Sequence, residues 1–183
     1  MVRFADDAVL AFQNKTDAER VYKVISKRFA KFGLTLHPEK TRLLNFRRGP
    51  KRDNFDFLGF THLWGKSQRG NLVIKRKTAK KRFRASLIVA REWLKKVIHW
   101  PISRQHRELC VKLRGYFQYY GITGNGAALA AFLYWVRNMW CKCLRRRSHT
   151  APRTYIWFER LCKRFPLPSP SPVHSILRRA ANP

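Results

Sequence analysis

The stretch that decides how this chain is read is its first, Met1-Val-Arg-Phe-Ala-Asp-Asp-Ala-Val-Leu10. Val2 to Phe4 and Ala8 to Phe12 are β-compatible apolar runs, which predicts two short strands joined by a tight turn at Ala5-Asp6-Asp7 with both carboxylates projecting from it. The pair stands out because the whole chain has only 10 Asp and Glu against 40 Lys and Arg. Asp is a favoured turn residue, so an ordinary hairpin is one reading. The other is a place for Mg²⁺, a hard cation that often binds through one or two carboxylates together with substrate phosphates.

Working outward, 183 residues that are 45% hydrophobic and 14% aromatic can bury a real core, as one domain or two small ones. A formal charge of +30 spread along the chain repels itself unless a polyanion neutralises it, which points to nucleic acid as a partner. No segment approaches the roughly 20 uncharged apolar residues of a membrane span, and the N-terminus lacks the pattern of a secretory leader. The expectation is a cytoplasmic protein without a membrane partner. Cys110, Cys141, Cys143 and Cys162 form neither a disulfide framework nor zinc-type pairs, and His99, His106 and His149 are too scattered to change that.

Further along, Thr16-Asp-Ala-Glu19 is a capping-box pattern predicting a helix start, with Val21, Ile25, Phe29 and Phe32 on one face and Gly33 as its stop. Leu34 to Phe46 reads as two strands about a turn at Pro38. A polar stretch, Arg47 to Asn54, follows. Phe55 to Phe60 and Leu72 to Arg76 bracket a Gly-containing loop and predict a β-hairpin. Beyond Thr78 the period becomes helical. Phe83, Leu87, Ala90, Leu94 and Val97 mark a first helix up to Pro101, while Lys80, Lys81, Arg82 and Arg84 line other faces. Ser103 and Asn125 are candidate caps for a second and third helix, the third ending in Arg145-Arg146-Arg147. Tyr155 to Phe165 reads as a short basic helix, and Pro166 to Pro172 as an extended strap. The fold class is therefore α+β. Residues 1–77 form an antiparallel module with one helix, 78–148 a three-helix bundle, and 149–183 an extension carrying the strap.

These blocks, in this order, resemble the C-terminal part of bacterial group II intron-encoded reverse transcriptases and maturases. Phe4-Ala-Asp-Asp7 is similar to their catalytic motif, Gly33 to Arg42 to the next palm motif, and Phe55 to Phe60 to the hairpin that grips the primer. Arg114-Gly-Tyr-Phe-Gln-Tyr-Tyr-Gly121 resembles the core of the maturase thumb, domain X, and Pro166 to Ser175 the usual C-terminal stretch. The resemblance implies a partial reverse-transcriptase palm followed by a helical thumb. It implies Mg²⁺ as cofactor, Asp6 as direct ligand and Asp7 as its supporting acid. Lys40 would assist the leaving pyrophosphate, or be a solvated turn lysine. Phe57, Leu58 and Gly59 would place the primer end, and Lys80, Lys81, Arg82, Arg84, Arg114 and Arg145 to Arg147 would contact nucleic-acid backbone. Tyr116, Tyr119 and Tyr120 are candidates for base stacking, with core packing as the alternative for at least two of them.

Implied partners are group II intron RNA, an RNA/DNA primer-template, and a separate N-terminal reverse-transcriptase half. That half would supply fingers and a further metal-binding aspartate, which the resemblance places before the acidic turn, and without it no polymerisation is expected. No Cys/His-rich nuclease module is expected either. The competing expectation is a non-catalytic RNA-binding splicing cofactor whose acids are relics.

Overall fold

The computed structural model describes residues 1–47, 53–67, 69–147 and 154–174. His149, Ser175 and most of the polar stretch after Arg47 lie outside the described residues.

The chain opens with β1 (Val2–Phe4) and β2 (Asp7–Val9), antiparallel with Phe4 opposite Asp7, followed by α1 (Lys15–Ala30). Helix α1 begins one residue before Thr16, with extended Asn14 at the cap position and no side chain capping the first turn. The Thr16 box therefore lies inside the helix rather than starting it. Its end follows the predicted glycine stop. Gly33 takes φ +68°, its amide donates to Ala30 O (3.1 Å), and the Leu34 amide donates to Phe29 O (3.1 Å). That paired pattern needs a left-handed residue, which only glycine adopts cheaply.

The two strands expected within Leu34 to Phe46 do not form. This stretch is irregular, with a turn in which the Lys40 and Thr41 amides both donate to His37 O (3.2 and 3.0 Å). Strand propensity here lacks a neighbouring ladder, and without one it does not make a strand. Phe46 docks the stretch instead: its ring meets Phe55 (5.1 Å) and Trp64 (5.7 Å), and Trp64 Nε1 donates to its carbonyl (3.0 Å).

Three strands follow, β3 (Phe55–Phe57), β4 (Phe60–Lys66) and β5 (Leu72–Thr78), as an antiparallel meander in that order. The expected hairpin has one reversal more than predicted. Leu58 and Gly59 both take positive φ (50° and 77°), the signature of a two-residue type I′ turn, so Phe57 pairs Phe60 and it is β4 that pairs β5.

Helices α2 (Lys80–Lys96), α3 (Ile102–Tyr120), α4 (Gly126–Arg145) and α5 (Tyr155–Arg164) complete the fold. Among the described residues, every buried one lies between Thr78 and Phe158. Leu94, Leu109, Leu113, Leu129, Phe132, Val136, Trp140 and Leu144 form the core, each large apolar side chain contributing about 1.5–3 kcal/mol on burial. Phe158 joins it edge-on to Trp140 (5.8 Å), with Leu161, Phe165 and Leu167 packed alongside, so α5 and the start of the strap share the bundle's core. By contrast α1 has no buried residue, and Val2, Phe4, Phe32 and Leu34 are exposed.

Two buried polar side chains join the elements. Gln105 is fully buried; its Nε2 donates to the carbonyls of Val97 (2.8 Å), Ile98 (3.2 Å) and Trp100 (3.1 Å) at the end of α2, and its Oε1 accepts from Trp140 Nε1 (3.0 Å). Asn125 stands at the cap position of α4, yet no side-chain cap forms. Its Oδ1 accepts from the Thr78 amide (3.0 Å), and its Nδ2 donates to Thr78 Oγ1 (2.8 Å) and Tyr120 O (2.9 Å). It thus ties sheet to bundle. Pro101, rather than Ser103, precedes α3 at the cap position. The strap runs along α3, held where His106 Nε2 meets Pro166 O (2.8 Å) and where the Val173 and His174 amides donate to Gly121 O (2.7 and 2.9 Å).

Candidate nucleic-acid and metal site

The acidic residues occupy the β1–β2 hairpin tip. The turn itself is Ala5-Asp6, and Asp7 is the first residue of β2. Ala5 takes φ +48°, a left-handed conformation costing a non-glycine residue about 1–2 kcal/mol. Strain of this kind persists where the surroundings or a function require it. Arg3 Nε donates to Ala5 O (3.0 Å), which satisfies the turn carbonyl. Asp6 and Asp7 are exposed, and among the described residues neither is in an ion pair or side-chain hydrogen bond. Two free, adjacent carboxylates fit a hard cation completed by phosphate oxygens and water. They do not make a cage: among the described residues no group of three or more His, Cys, Asp or Glu side chains is placed to hold a metal.

Lys40 is exposed in the His37–Thr41 turn, which is tethered to α1 where Tyr22 Oη donates to Thr41 O (3.4 Å). No ion pair among the described residues joins Lys40 to Asp6 or Asp7.

Phe57, Leu58 and Gly59 form the β3–β4 tip, and the tip is clamped. Tyr119 Oη donates to Leu58 O (3.0 Å) and the Ala79 amide to Gly59 O (2.9 Å), so both turn carbonyls have partners. A Cβ on Gly59 would lie 3.2 Å from Tyr120 Oη and 3.7 Å from Tyr119 Cε1, besides forcing a side chain onto a left-handed backbone. The last turn of α3 thus fixes the hairpin tip.

The basic candidates lie on the helical part. Lys80, Lys81, Arg82 and Arg84 are exposed in the opening turns of α2, where Ala79 provides no side-chain cap and no acid stands in the first turn. Positive side chains at the positive end of a helix dipole cost stability, and a bound anion relieves that cost. Lys80 and Arg84 also border a groove of about 240 Å³ between α2 and α4, floored by Phe83, Ala128 and Ala131. Arg145 and Arg146 are exposed at the C-terminal end of α4, where the dipole favours cations, and Arg147 donates to His99 O (3.3 Å). Arg114 is exposed on α3.

The tyrosines divide. Tyr116 is taken up in packing, its ring stacked on Phe132 (centroids 3.6 Å apart, planes 12° apart) and near Tyr120 (4.6 Å); burial pushes its phenol well above the ordinary value. Tyr119 stays half exposed but spends its hydroxyl on Leu58. The Asn125–Thr78 joint had no signal in sequence beyond a capping pattern, because its partners are 47 residues apart.

An acidic hairpin, a second hairpin clamped by α3, and a basic helical bundle follow one another along the chain. Residues 1–62 match the sequence model of a family described as reverse transcriptase (RNA-dependent DNA polymerase). The match takes in the acidic turn, α1, Lys40, the β3–β4 tip and the first part of β4, and so marks this segment as reverse-transcriptase-like. No curated protein and no solved structure matches the chain. Among the described residues no helix is long and apolar enough to cross a membrane.

Proposed function

We propose that the chain is the later palm and the helical thumb, or domain X, of a bacterial group II intron reverse transcriptase/maturase, acting in the cytoplasm. In this reading it binds structured intron RNA and contributes part of a two-metal site for RNA-templated DNA synthesis. The observation that carries it is the strained, solvent-facing Ala5-Asp6-Asp7 turn inside the segment that matches reverse transcriptases.

Asp6 and Asp7 would hold Mg²⁺, which when bound supplies Lewis-acid stabilisation of the attacking and leaving oxygens. The chain's own part is placement. The β3–β4 tip, immobilised by Tyr119 and Ala79, offers a rigid ledge for a primer end. Lys40 is the candidate to stabilise or protonate a leaving pyrophosphate. Lys80, Lys81, Arg82, Arg84, Arg114 and Arg145 to Arg147 would neutralise backbone phosphates and fix register without reading sequence.

Two carboxylates on one turn bind Mg²⁺ weakly, so the chain alone would not polymerise; a partner bringing fingers and a further carboxylate would restore activity. The exposed apolar side chains of β1 (Val2, Phe4) and α1 (Tyr22, Val24) support that reading. The test is primer extension on an RNA template, with the chain alone and with an added fingers and early-palm half. Extension that requires both halves and disappears with Asp6→Ala supports the proposal; extension unaffected by Asp6→Ala removes the catalytic role. A second reading, a non-catalytic splicing cofactor, is favoured because every buried residue among those described lies between Thr78 and Phe158, away from the acids. Under it, intron splicing assistance survives Asp6→Ala unchanged.

A further inference from the structure

Helix α5 meets α4 along a seam that carries both charge and sulfur. Phe158 of α5 enters the core edge-on to Trp140 (5.8 Å). On α4, Arg137 lays its guanidinium over the Phe158 ring (5.6 Å), and its Nη2 donates to Glu159 Oε1 (2.7 Å). Cys141 follows Arg137 by four residues on α4, and Cys162 follows Phe158 by four on α5. Residues four apart share a helix face, so the faces that bring Arg137 against Phe158 and Glu159 also turn both cysteines toward this seam.

The electrostatics agree with that placement. Contact with Cys162 is the main influence holding the Arg137 guanidinium above its ordinary value, with burial opposing it and Glu159 adding to it. Burial pushes the Cys141 thiol up; Arg145 and Arg137 oppose that rise, and Cys162 and Glu159 reinforce it. The two sulfurs therefore sense one another beside a shared cation. The remaining cysteines have separate surroundings. Cys143 Sγ donates to Leu94 O (3.1 Å) on α2, and Cys110 Sγ meets His106 Nε2 (3.2 Å), the same nitrogen that holds the strap at Pro166. All four are free thiols, and Cys110, Cys141 and Cys143 are buried whereas Cys162 is half-buried. A small oxidant reaches Cys162 first.

We infer that Cys162 and Cys141 form an oxidisable dithiol site for hydrogen peroxide, closing to a disulfide that locks α5, and with it the start of the strap, onto α4. In the first step the Cys162 sulfur attacks one peroxide oxygen: an S–O bond forms, the O–O bond breaks, and the departing hydroxide takes the thiol proton and leaves as water. Sulfur loses two electrons to the peroxide, and Arg137 balances the negative charge on sulfur as its proton leaves. In the second step the Cys141 sulfur attacks the sulfenic sulfur; an S–S bond forms, the S–O bond breaks, and the hydroxide leaves as water with the Cys141 proton. One peroxide and two thiols thus give one disulfide and two waters. In a reducing compartment such a pair works as a reversible sensor rather than a permanent staple. The site does not depend on the proposed action on nucleic acid.

The test treats the reduced full chain with hydrogen peroxide and maps its tryptic peptides without reduction by mass spectrometry. Cleavage after Lys142 separates Cys141 from Cys143, so the linked pair is identified unambiguously. The expected product is an intramolecular Cys141–Cys162 link that raises Tm by about 6–12 °C, because it shortens the free chain of the unfolded state, and that dithiothreitol reverses. In Cys141→Ala the reaction should stop at the sulfenic acid, trapped at Cys162 by a cyclic 1,3-diketone. Arg137→Gln should slow oxidation roughly tenfold. Glu159→Gln severs the same ion pair but keeps the cation, so it should oxidise at least as fast as the unsubstituted chain. Peroxide that leaves both thiols free, a link made through Cys110 or Cys143, a link formed only between molecules, or a Tm that does not rise would each overturn the inference. Equal slowing in Arg137→Gln and Glu159→Gln would overturn the part assigned to Arg137.

Discussion

Replacing Gln105 with leucine should cost the protein about 3–4 kcal/mol, although leucine is the more hydrophobic residue and close in volume. Gln105 is completely buried and makes four contacts: three carbonyls at the end of α2 receive its Nε2, and its Oε1 receives the Trp140 indole. The last carbonyls of a helix have no partner within it, so a side chain from the next helix meets an existing need. Two net hydrogen-bond equivalents at about 1 kcal/mol each, plus the penalty of about 1–3 kcal/mol for leaving the Trp140 N–H buried and unpaired, offset by leucine's gain in burial, give that total. For a chain this long the melting temperature should fall by about 10 °C. A cycle with Trp140→Phe isolates the second contribution. Phenylalanine removes the orphaned donor, so the double variant should be about 1–2 kcal/mol more stable than the sum of the two singles predicts. Thermal and urea unfolding of the four proteins would measure it. A drop below about 2 °C, or strictly additive losses, would refute the view of Gln105 as the polar joint of the bundle.

Other consequences are as direct. Asn125→Asp keeps the acceptor for the Thr78 amide but loses the donors to Thr78 Oγ1 and Tyr120 O; it should destabilise by about 3 kcal/mol, and hydrogen exchange at the Thr78 amide should speed up more than exchange within α3. His62 on β4 has its pKa pushed below 6.5, chiefly by burial and secondarily by Arg76. A base that is easier to protonate when unfolded contributes stability that is complete above pH 6.5 and is lost as the pH falls through the lower folded value. The meander should therefore loosen in acid, and His62→Gln should flatten that part of the stability profile in pH-dependent urea melts.

How much of this was legible in sequence depends on where the partners lie. Helices α2, α3 and α4 follow from the spacing of Phe83, Leu87 and Leu94, of Leu109, Leu113 and Tyr120, and of Leu129, Phe132 and Val136, because each stripe is a local pattern read against one core. The Gly33 stop and the Pro166–Pro172 strap are also local. What failed was non-local. Leu34 to Phe46 has strand-compatible residues but no paired neighbour, and Phe46 uses its ring on Phe55 and Trp64 instead. Asn125 looks like a cap yet spends its side chain on Thr78, and Ser103 lies inside a helix that starts after Pro101. The Leu58-Gly59 reversal was hidden because a type I′ turn with leucine at its first position departs from the Asn-Gly pattern. At the site, the acidic pair and the basic faces were visible as composition against a +30 background. The clamp of Tyr119 on Leu58 was not, since 61 residues separate them.

The central claim, that the Ala5-Asp6-Asp7 turn is a cation-binding tip that works against nucleic-acid phosphate, is tested most directly by paramagnetic relaxation with Mn²⁺ in place of Mg²⁺. The amide signals of the isotope-labelled chain, bound to an RNA/DNA primer-template, would be followed as Mn²⁺ is added. Broadening should begin at Phe4 to Ala8 and vanish from there in Asp6→Ala, while exposed acids on the bundle such as Glu92 remain unaffected until much higher concentration. Broadening that spares the hairpin, or that is the same with and without Asp6, contradicts the account.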